Sequence, residues 1–135
     1  MSKPIPPISK YMTTTPVTIG VDQTIASASR VMNEHRIRHL PVLQGGRLVG
    51  IITSRDVALI ETLKDVDPKV VTVEEAMTQM PYTTGPDTTI DQVAAEMAEH
   101  KYGAVIVTQN DHVVGVFTSV DACMVLAEIF TTRLK

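Results

Sequence analysis

The sequence predicts an α/β (α+β) fold made of two pseudo-symmetric β-α-β-β-α repeats packed as one module. Three observations carry this expectation. The chain aligns with itself at an offset of 65 residues without a gap, and 18 of the 45 positions from Met12 to Asp56 are identical across the shift. That is too many for chance and marks a duplication. Each copy has one stretch of helical apolar spacing followed by two short apolar runs around a turn. Each copy also ends in the same frame, Gly50-Ile51-Ile52-Thr53-Ser54-Arg55-Asp56 and Gly115-Val116-Phe117-Thr118-Ser119-Val120-Asp121.

The elements follow in order. Ile8–Met12 and Val73–Met77 read as short lead-in helices, one before each repeat. An extended piece, Val17-Thr18-Ile19 or Tyr82-Thr83-Thr84, follows a proline and runs into a turn at Gly20 or Gly85-Pro86. A helix comes next, with Thr24 as N-cap and Ile25, Ala28, Val31 and Met32 on its apolar face; the twin is Thr89 with Ile90, Val93, Ala94 and Met97. Both helices end near His35 and His100. The runs Leu40–Leu43 and Leu48–Ile52 around Gln44-Gly45-Gly46-Arg47 predict a hairpin, repeated as Ala104–Val107 and Val113–Phe117 around Asn110-Asp111. A last helix starts at Thr53 or Thr118. The resulting domains are 8–64 and 73–132, joined by a charged, proline-containing linker at 65–72.

Composition limits the function classes. A net charge of −3 lacks the basic footprint of a nucleic-acid binder. Residues 1–65 nevertheless carry a net +3 and residues 66–135 a net −6, so the first half favours a small anion. No apolar run approaches the roughly 20 residues of a membrane helix, and the start, Met1-Ser-Lys-Pro-Ile-Pro-Pro, has no apolar leader core. One cysteine, Cys123, allows neither an internal disulfide nor a metal cluster of its own, which favours a reducing cytoplasm.

The strand-to-helix frame carries the chemistry. Backbone N–H groups at a helix start attract phosphate, and Thr53, Ser54, Thr118 and Ser119 add hydroxyls there. A carboxylate one turn in, Asp56 or Asp121, can accept from both hydroxyls of a ribose. The apolar strands beside it can sandwich a base. The same T-x-x-D spacing is also a capping box, in which Thr and Asp only satisfy the helix start. Against capping alone stand the recurrence of the whole heptapeptide and the leading glycine, which lets another group approach the backbone.

At these residues the chain resembles the cystathionine-β-synthase (CBS) domain family. The matching motifs are Met12-Thr-x-x-Pro16, Asp22-x-Thr24-Ile25, Arg38-His39-Leu40-Pro41-Val42 and Gly50-Ile-Ile-Thr53-x-x-Asp56, with their second copies. The resemblance implies a tandem pair, or Bateman module, with two clefts between its domains that bind AMP, ADP, ATP or S-adenosylmethionine and regulate an attached or partner protein. It implies Asp56 and Asp121 as ribose ligands. Phosphate falls to Thr53, Ser54, Arg55, Thr118, Ser119, Arg38 and His39, and a base pocket to Thr18, Ile37, Leu40, Thr83, Tyr102 and Val105. The second copy departs from the pattern: Gly103-Ala104 replaces Arg38-His39, Ile106 replaces Pro41 and Val120 replaces Arg55. The two clefts are therefore expected to differ: one prefers a phosphorylated nucleoside, and the other is weaker, takes a nucleoside such as S-adenosylmethionine or stays empty. Both domains line both clefts, so Arg38 is not assigned to either.

The remaining residues read as structure. His35 and His39 are four apart, but Pro41 places His39 on a strand, so zinc is not expected. His100 reads as a polar helix end, His112 as a turn residue, Met32 and Met97 as core, and Cys123 as a small buried thiol. The last helix shows Ala122, Val125, Leu126, Ile129 and Phe130, and its twin Val57, Ala58, Ile60 and Leu63. This stripe is wider than one small sheet needs and predicts an interface. The resemblance makes that interface a homodimer through Val57–Leu63 and Ala122–Phe130. No nucleophile–base pair, paired carboxylates or metal set can be assembled, so no enzyme is expected. The expected function is a free-standing sensor with an adenosyl ligand as regulator and no required cofactor; the competing reading is an interaction module with vestigial clefts.

Overall fold

The computed structural model describes residues 4–133 of the chain; Met1–Lys3, read above as part of a leaderless start, lie outside them. The described residues form two sheets and five α-helices. They divide into two compact units, residues 17–81 (the central unit) and residues 4–16 with 82–133 (the composite unit).

In the central unit the sheet order is β1-β2-β3-β4, with β1 at Ile19–Gly20, β2 at His39–Gln44, β3 at Arg47–Thr53 and β4 at Thr78–Gln79. β1 runs parallel to β2, as a strand returned through helix α1 (Ile25–His35) must, and β2, β3 and β4 pair antiparallel. The hairpin turns at Gly45 and Gly46, both at positive φ (59° and 81°), the geometry of a two-residue turn matching strand twist. Gly20, expected in a turn, is the last residue of β1; the turn follows it. β3 runs directly into helix α2 (Ser54–Thr62).

The composite unit repeats the plan with β5 (Thr83–Thr84), α4 (Ile90–His100), β6 (Ala104–Gln109), β7 (His112–Thr118) and α5 (Ser119–Glu128), extended by a π-helical turn at Ile129–Arg133. Asn110 and Asp111 take positive φ (54° and 65°) at its hairpin turn, where side-chain amide or carboxylate residues tolerate the left-handed region best after glycine. His112 opens β7 rather than lying in the turn.

Each unit is completed by the segment that precedes the other repeat. The helix start of α1 leaves N–H groups without intrahelical partners. Ile25 N–H donates to the Val71 carbonyl (2.9 Å) and Ala26 N–H to the Pro68 carbonyl (2.9 Å), while Val73, opening helix α3 (Val73–Ala76), is fully buried. The same contact recurs in the composite unit, where Ile90 N–H donates to the Pro6 carbonyl (3.0 Å) and Ile8 is fully buried. Ile8–Lys10 is a single 3-10 turn, shorter than the helix expected over Ile8–Met12.

Each unit has its own core. Ile25, Ala28, Met32, Leu40, Val42, Ile52, Val57 and Val73 cluster in the central unit, and Ile8, Val93, Met97, Val105, Val107, Phe117 and Val125 in the composite unit. The methionines at helical spacing are thus core, as read. Cys123 is not: its thiol is exposed, because α5 turns only Val125 fully inward and Cys123 sits off that face. Part of the predicted stripe is also outside, with Leu126 and Phe130 55% and 61% exposed and Leu63 46% exposed. No helix among the described residues is long and apolar enough to cross a membrane.

Candidate functional site

In the central unit β3 ends at Thr53, and the chain turns into α2 through a complete capping box. Thr53 N–H donates to Asp56 Oδ2 (2.9 Å), the Thr53 hydroxyl donates to the same oxygen (3.0 Å), and Asp56 N–H donates to Thr53 Oγ1 (3.2 Å). Ser54 N–H donates to the Arg38 carbonyl (2.9 Å). Asp56 therefore does cap its helix, and three N–H groups at the helix start, those of Thr53, Ser54 and Asp56, are committed within the protein. The box does not exhaust the carboxylate. Both Thr53 bonds fall on Oδ2, and among the described residues Oδ1 accepts no hydrogen bond.

The composite unit has the same construction. Thr118 N–H and hydroxyl donate to Asp121 Oδ2 (2.8 and 3.1 Å), Asp121 N–H donates to Thr118 Oγ1 (3.3 Å), and Ser119 N–H donates to the Gly103 carbonyl (3.0 Å). Both aspartates are half-buried.

The hairpin register brings the basic residues to this corner. His39 pairs with Thr53 across β2 and β3, so Arg38, His39, Thr53, Ser54, Arg55 and Asp56 share one end of the sheet. Arg38, Ser54 and Arg55 are exposed. Burial, and then the neighbouring Arg38 charge, holds the His39 imidazole below its ordinary value of 6.5, leaving it neutral and able both to donate and to accept. In the composite unit Ala104 faces Thr118 at the same register, with Gly103 and Val120 beside it.

The base-pocket residues are less uniform. Leu40 and Val105 are fully buried in the cores, so their side chains have no surface to give a ligand; this corrects their assignment. Thr18 lines a concavity of about 570 Å³ that runs along β1 to the Gly45-Gly46 turn and includes none of Arg38, His39 or Thr53–Asp56. Ile37 is half-buried and Thr83 exposed. Tyr102 is 38% exposed and belongs to a three-ring stack, with Tyr82 on it at 4.9 Å between centroids and His100 at 5.2 Å. His100 Nε2 lies 3.3 Å from a Glu96 carboxylate oxygen. Burial, then Glu96 and Tyr102, raises the Tyr82 phenol above its ordinary value. Tyr82 and Glu96 escaped the sequence reading. The available signal was substitution across the repeat, since their twins are Val17 and Val31.

The group that approaches Gly50 is the chain itself: a Cβ there would lie 2.6 Å from Met77 Sδ and 2.7 Å from the Thr78 carbonyl oxygen. At Gly115 the approaching group is the Met12 side chain. The glycines serve the packing of each unit's completing segment and say nothing of a ligand. His35 ends α1 and His39 opens β2, so they do not share a helix face. Glu96, Glu99 and His100 lie within 4.8 Å of one another on the surface of α4.

Known proteins share this arrangement. The chain is 34% identical over 123 residues to L-aspartate semialdehyde sulfurtransferase of Methanocaldococcus jannaschii, covering 90% of this chain and 23% of that protein. It is 30% identical over 109 residues to the CBS domain-containing protein YhcV of Bacillus subtilis, covering 81% of this chain and 77% of that one. The crystal structure of the CBS domain pair of protein MJ0100, in complex with 5′-methylthioadenosine and S-adenosyl-L-methionine, matches with a TM-score of 0.83 at 32% identity, covering 92% of this chain and 98% of that chain. The chain spans about a quarter of the length of the sulfurtransferase and of an inosine-5′-monophosphate dehydrogenase of Korarchaeum cryptofilum, which it matches at 30% identity (23% and 27% of those proteins). The CBS domain family matches residues 8–60 and 64–128, and with two such matches over nearly its whole length the chain belongs to the CBS domain family as a tandem pair.

Proposed function

We propose that this CBS pair is a regulatory sensor, without chemistry of its own, that binds an adenosyl ligand through Asp56 and Asp121 and passes its occupancy to a partner protein. The ligand class is AMP, ADP, ATP or S-adenosylmethionine, and no cofactor is required. The observation that carries this reading is the duplicated Thr-Ser-x-Asp corner, in which Asp56 holds its own helix with Oδ2 and keeps Oδ1 for a further donor. A ribose diol supplies such donors, and a carboxylate in a partly buried corner accepts them as charge-assisted bonds. The reading draws support from the MJ0100 pair, which carries two adenosyl compounds at 32% identity. Arg38, Arg55 and the Ser54 hydroxyl are the phosphate contacts in the central unit. Thr53 and Thr118 serve the box first, because their hydroxyl protons are already donated. The exposed free thiol of Cys123 suits a reducing, cytoplasmic setting.

The test is a thermal-shift panel of AMP, ADP, ATP, S-adenosylmethionine and NAD on the protein and its Asp56→Asn and Asp121→Asn variants. Asparagine keeps one oxygen for the Thr bonds and removes the charge, so the fold stays while the ligand contact weakens. A ligand selective for the folded state raises Tm by mass action. Loss of one charge-assisted contact, about 1.5–3 kcal/mol, lowers affinity roughly ten- to a hundredfold. Unchanged affinity in both variants refutes the ribose assignment.

A second reading rests on the exposed apolar residues of α5 and α2. Val120, Met124, Leu126 and Phe130 are 64%, 67%, 55% and 61% exposed, and Leu59 of α2 is 61% exposed. In this reading Val57–Leu63 and Ala122–Phe130 join two copies in a homodimer and the ligand corners are vestigial. A protein that scatters as a dimer but shows no thermal shift with any adenosyl compound belongs to it.

A further inference from the structure

The last turn of α4 carries a pair, Glu99-His100, that the duplication keeps in both copies as Glu34-His35, while the residues around it change. In the central unit Arg30 Nε lies 4.0 Å from a Glu34 carboxylate oxygen, so that carboxylate has a cation one turn away on α1. In the composite unit Ala95 stands in place of Arg30 and Glu96 in place of Val31. The face thereby loses a cation and gains a carboxylate. Positions 96, 99 and 100 are i, i+3 and i+4 on one helix and share a face, and one ligand atom from each of the three side chains falls within 4.8 Å of the other two. Among the described residues neither Glu96 nor Glu99 pairs with a lysine or arginine. Two carboxylates are thus gathered at the negative end of a helix dipole, where a cation is favoured.

We propose that Glu96, Glu99 and His100 bind a divalent transition-metal ion of the zinc type, with water completing its shell. One imidazole nitrogen and two carboxylate oxygens suit such an ion better than magnesium or calcium, which take oxygen ligands throughout. Three protein ligands leave a four-coordinate ion one position for water. The imidazole is held for this role by its neighbours. Its ring stacks on Tyr102 (5.2 Å between centroids, 23° between planes), Tyr102 stacks on Tyr82 (4.9 Å, 21°), and Tyr82 packs against the composite core. The central unit has Ile37 and Val17 at the two tyrosine positions, so His35 lacks this support. A simple ion pair between His100 Nε2 and Glu96, 3.3 Å apart, accounts for two of the three side chains and leaves the approach of Glu99 unexplained. A cation among the three accounts for all of them. All three residues are exposed, so the ion exchanges with solvent and the site responds to the free metal concentration. This gives the composite unit an input separate from the reading of Asp56 and Asp121.

Tyrosine emission reads the site directly, because the chain has no tryptophan and two of its three tyrosines lie in the stack. The full chain is used with Cys123→Ser, so that the exposed thiol does not bind the metal. Nickel(II), which quenches nearby fluorophores, is titrated in and then displaced by excess zinc(II). The expected result is saturable quenching by a single ion per chain, recovery of emission with zinc, and no recovery with magnesium at the same concentration. Glu96→Gln, Glu99→Gln and His100→Gln should each weaken binding about tenfold or more, the loss of one ligand, while His35→Gln should leave it within about twofold. Zinc should also raise the Tm of the parent protein and not that of His100→Gln, since an ion selective for the folded state stabilises it by mass action. Equal losses in His35→Gln and His100→Gln, or undiminished binding in both glutamate variants, overturn the site and leave an adventitious ion only. Absence of saturable quenching overturns it as well.

Discussion

Replacing Gly50 by alanine places a methyl group where the central unit has no room. The added carbon lies 2.6 Å from Met77 Sδ and 2.7 Å from the Thr78 carbonyl oxygen, and ordinary contact begins near 3.4 Å. Met77 can swing aside, but Thr78 is backbone in β4, paired to β3 at Ile51. β4 must therefore retreat by about 0.7 Å, loosening a two-residue ladder. Overpacking of this kind costs about 1–3 kcal/mol, against which loss of glycine's unfolded-state freedom returns about 0.4–1 kcal/mol. A net destabilisation of about 1–2 kcal/mol follows. Gly115→Ala is the internal control, because there the crowding atoms all belong to the Met12 side chain. It should cost less than about 1 kcal/mol. Urea unfolding of the three proteins, with unchanged m-values and compared midpoints, reads the difference. If Gly115→Ala destabilises as much as Gly50→Ala, the backbone of β4 is not what Gly50 makes room for.

Three further outcomes are expected. With the folded-state pKa of His39 depressed below 6.5, the unfolded chain takes up the proton first, so stability is unaffected above that pH and falls as the pH drops through the folded value. His39→Gln should flatten the fall in Tm between pH 7.5 and 5, and an unchanged slope would place the acid sensitivity elsewhere. Thr118→Ala and Asp121→Ala each remove part of one capping box and should cost about 0.5–2 kcal/mol in denaturant melts. Because they share their hydrogen bonds, the double variant should cost clearly less than the sum, and strict additivity would deny the box. The exposed Cys123 should react with a thiol reagent in the native protein at close to the rate of the unfolded chain; protection by folding would contradict its placement.

The parts of this structure that were legible in the sequence are those set by local chemistry. Gly45-Gly46 and Asn110-Asp111 announce tight turns because few residues accept positive φ. Thr24 announces a helix start, and its hydroxyl accepts from Ser27 N–H (3.1 Å). Thr89 starts the twin helix without such a bond, so equal sequence at the cap did not bring equal capping. What stayed hidden depends on partners distant in the chain. β4 is two exposed polar residues, Thr78 and Gln79, with no period to read. The offset of 65 equates Pro6 with Val71 but does not say which repeat either segment covers. At the candidate site, the gathering of Arg38 and His39 with Thr53–Asp56 follows from the hairpin register and was foreseeable. The burial of Leu40 and Val105 and the stacking of Tyr82 on Tyr102 depend on which strand face meets the core, which apolar runs without alternation do not disclose.

The exchange of completing segments also orders the assembly of the molecule in time. Everything the central unit needs lies within residues 17–81, so its helix donors and core can be satisfied once Pro81 has been synthesised. Residues 4–16 are made before any of it, yet their carbonyl and apolar partners, among them the bond from Ile8 N–H to the Thr88 carbonyl (2.7 Å), arrive last. Closing that long loop makes the placement of Ile8 a late event, since distant contacts carry the larger entropic cost of closure. A nascent chain therefore carries residues 4–16 as an uncovered apolar strip until residues 82–133 have followed. Slow refolding and capture of a second chain's 4–16 segment are the errors this layout invites.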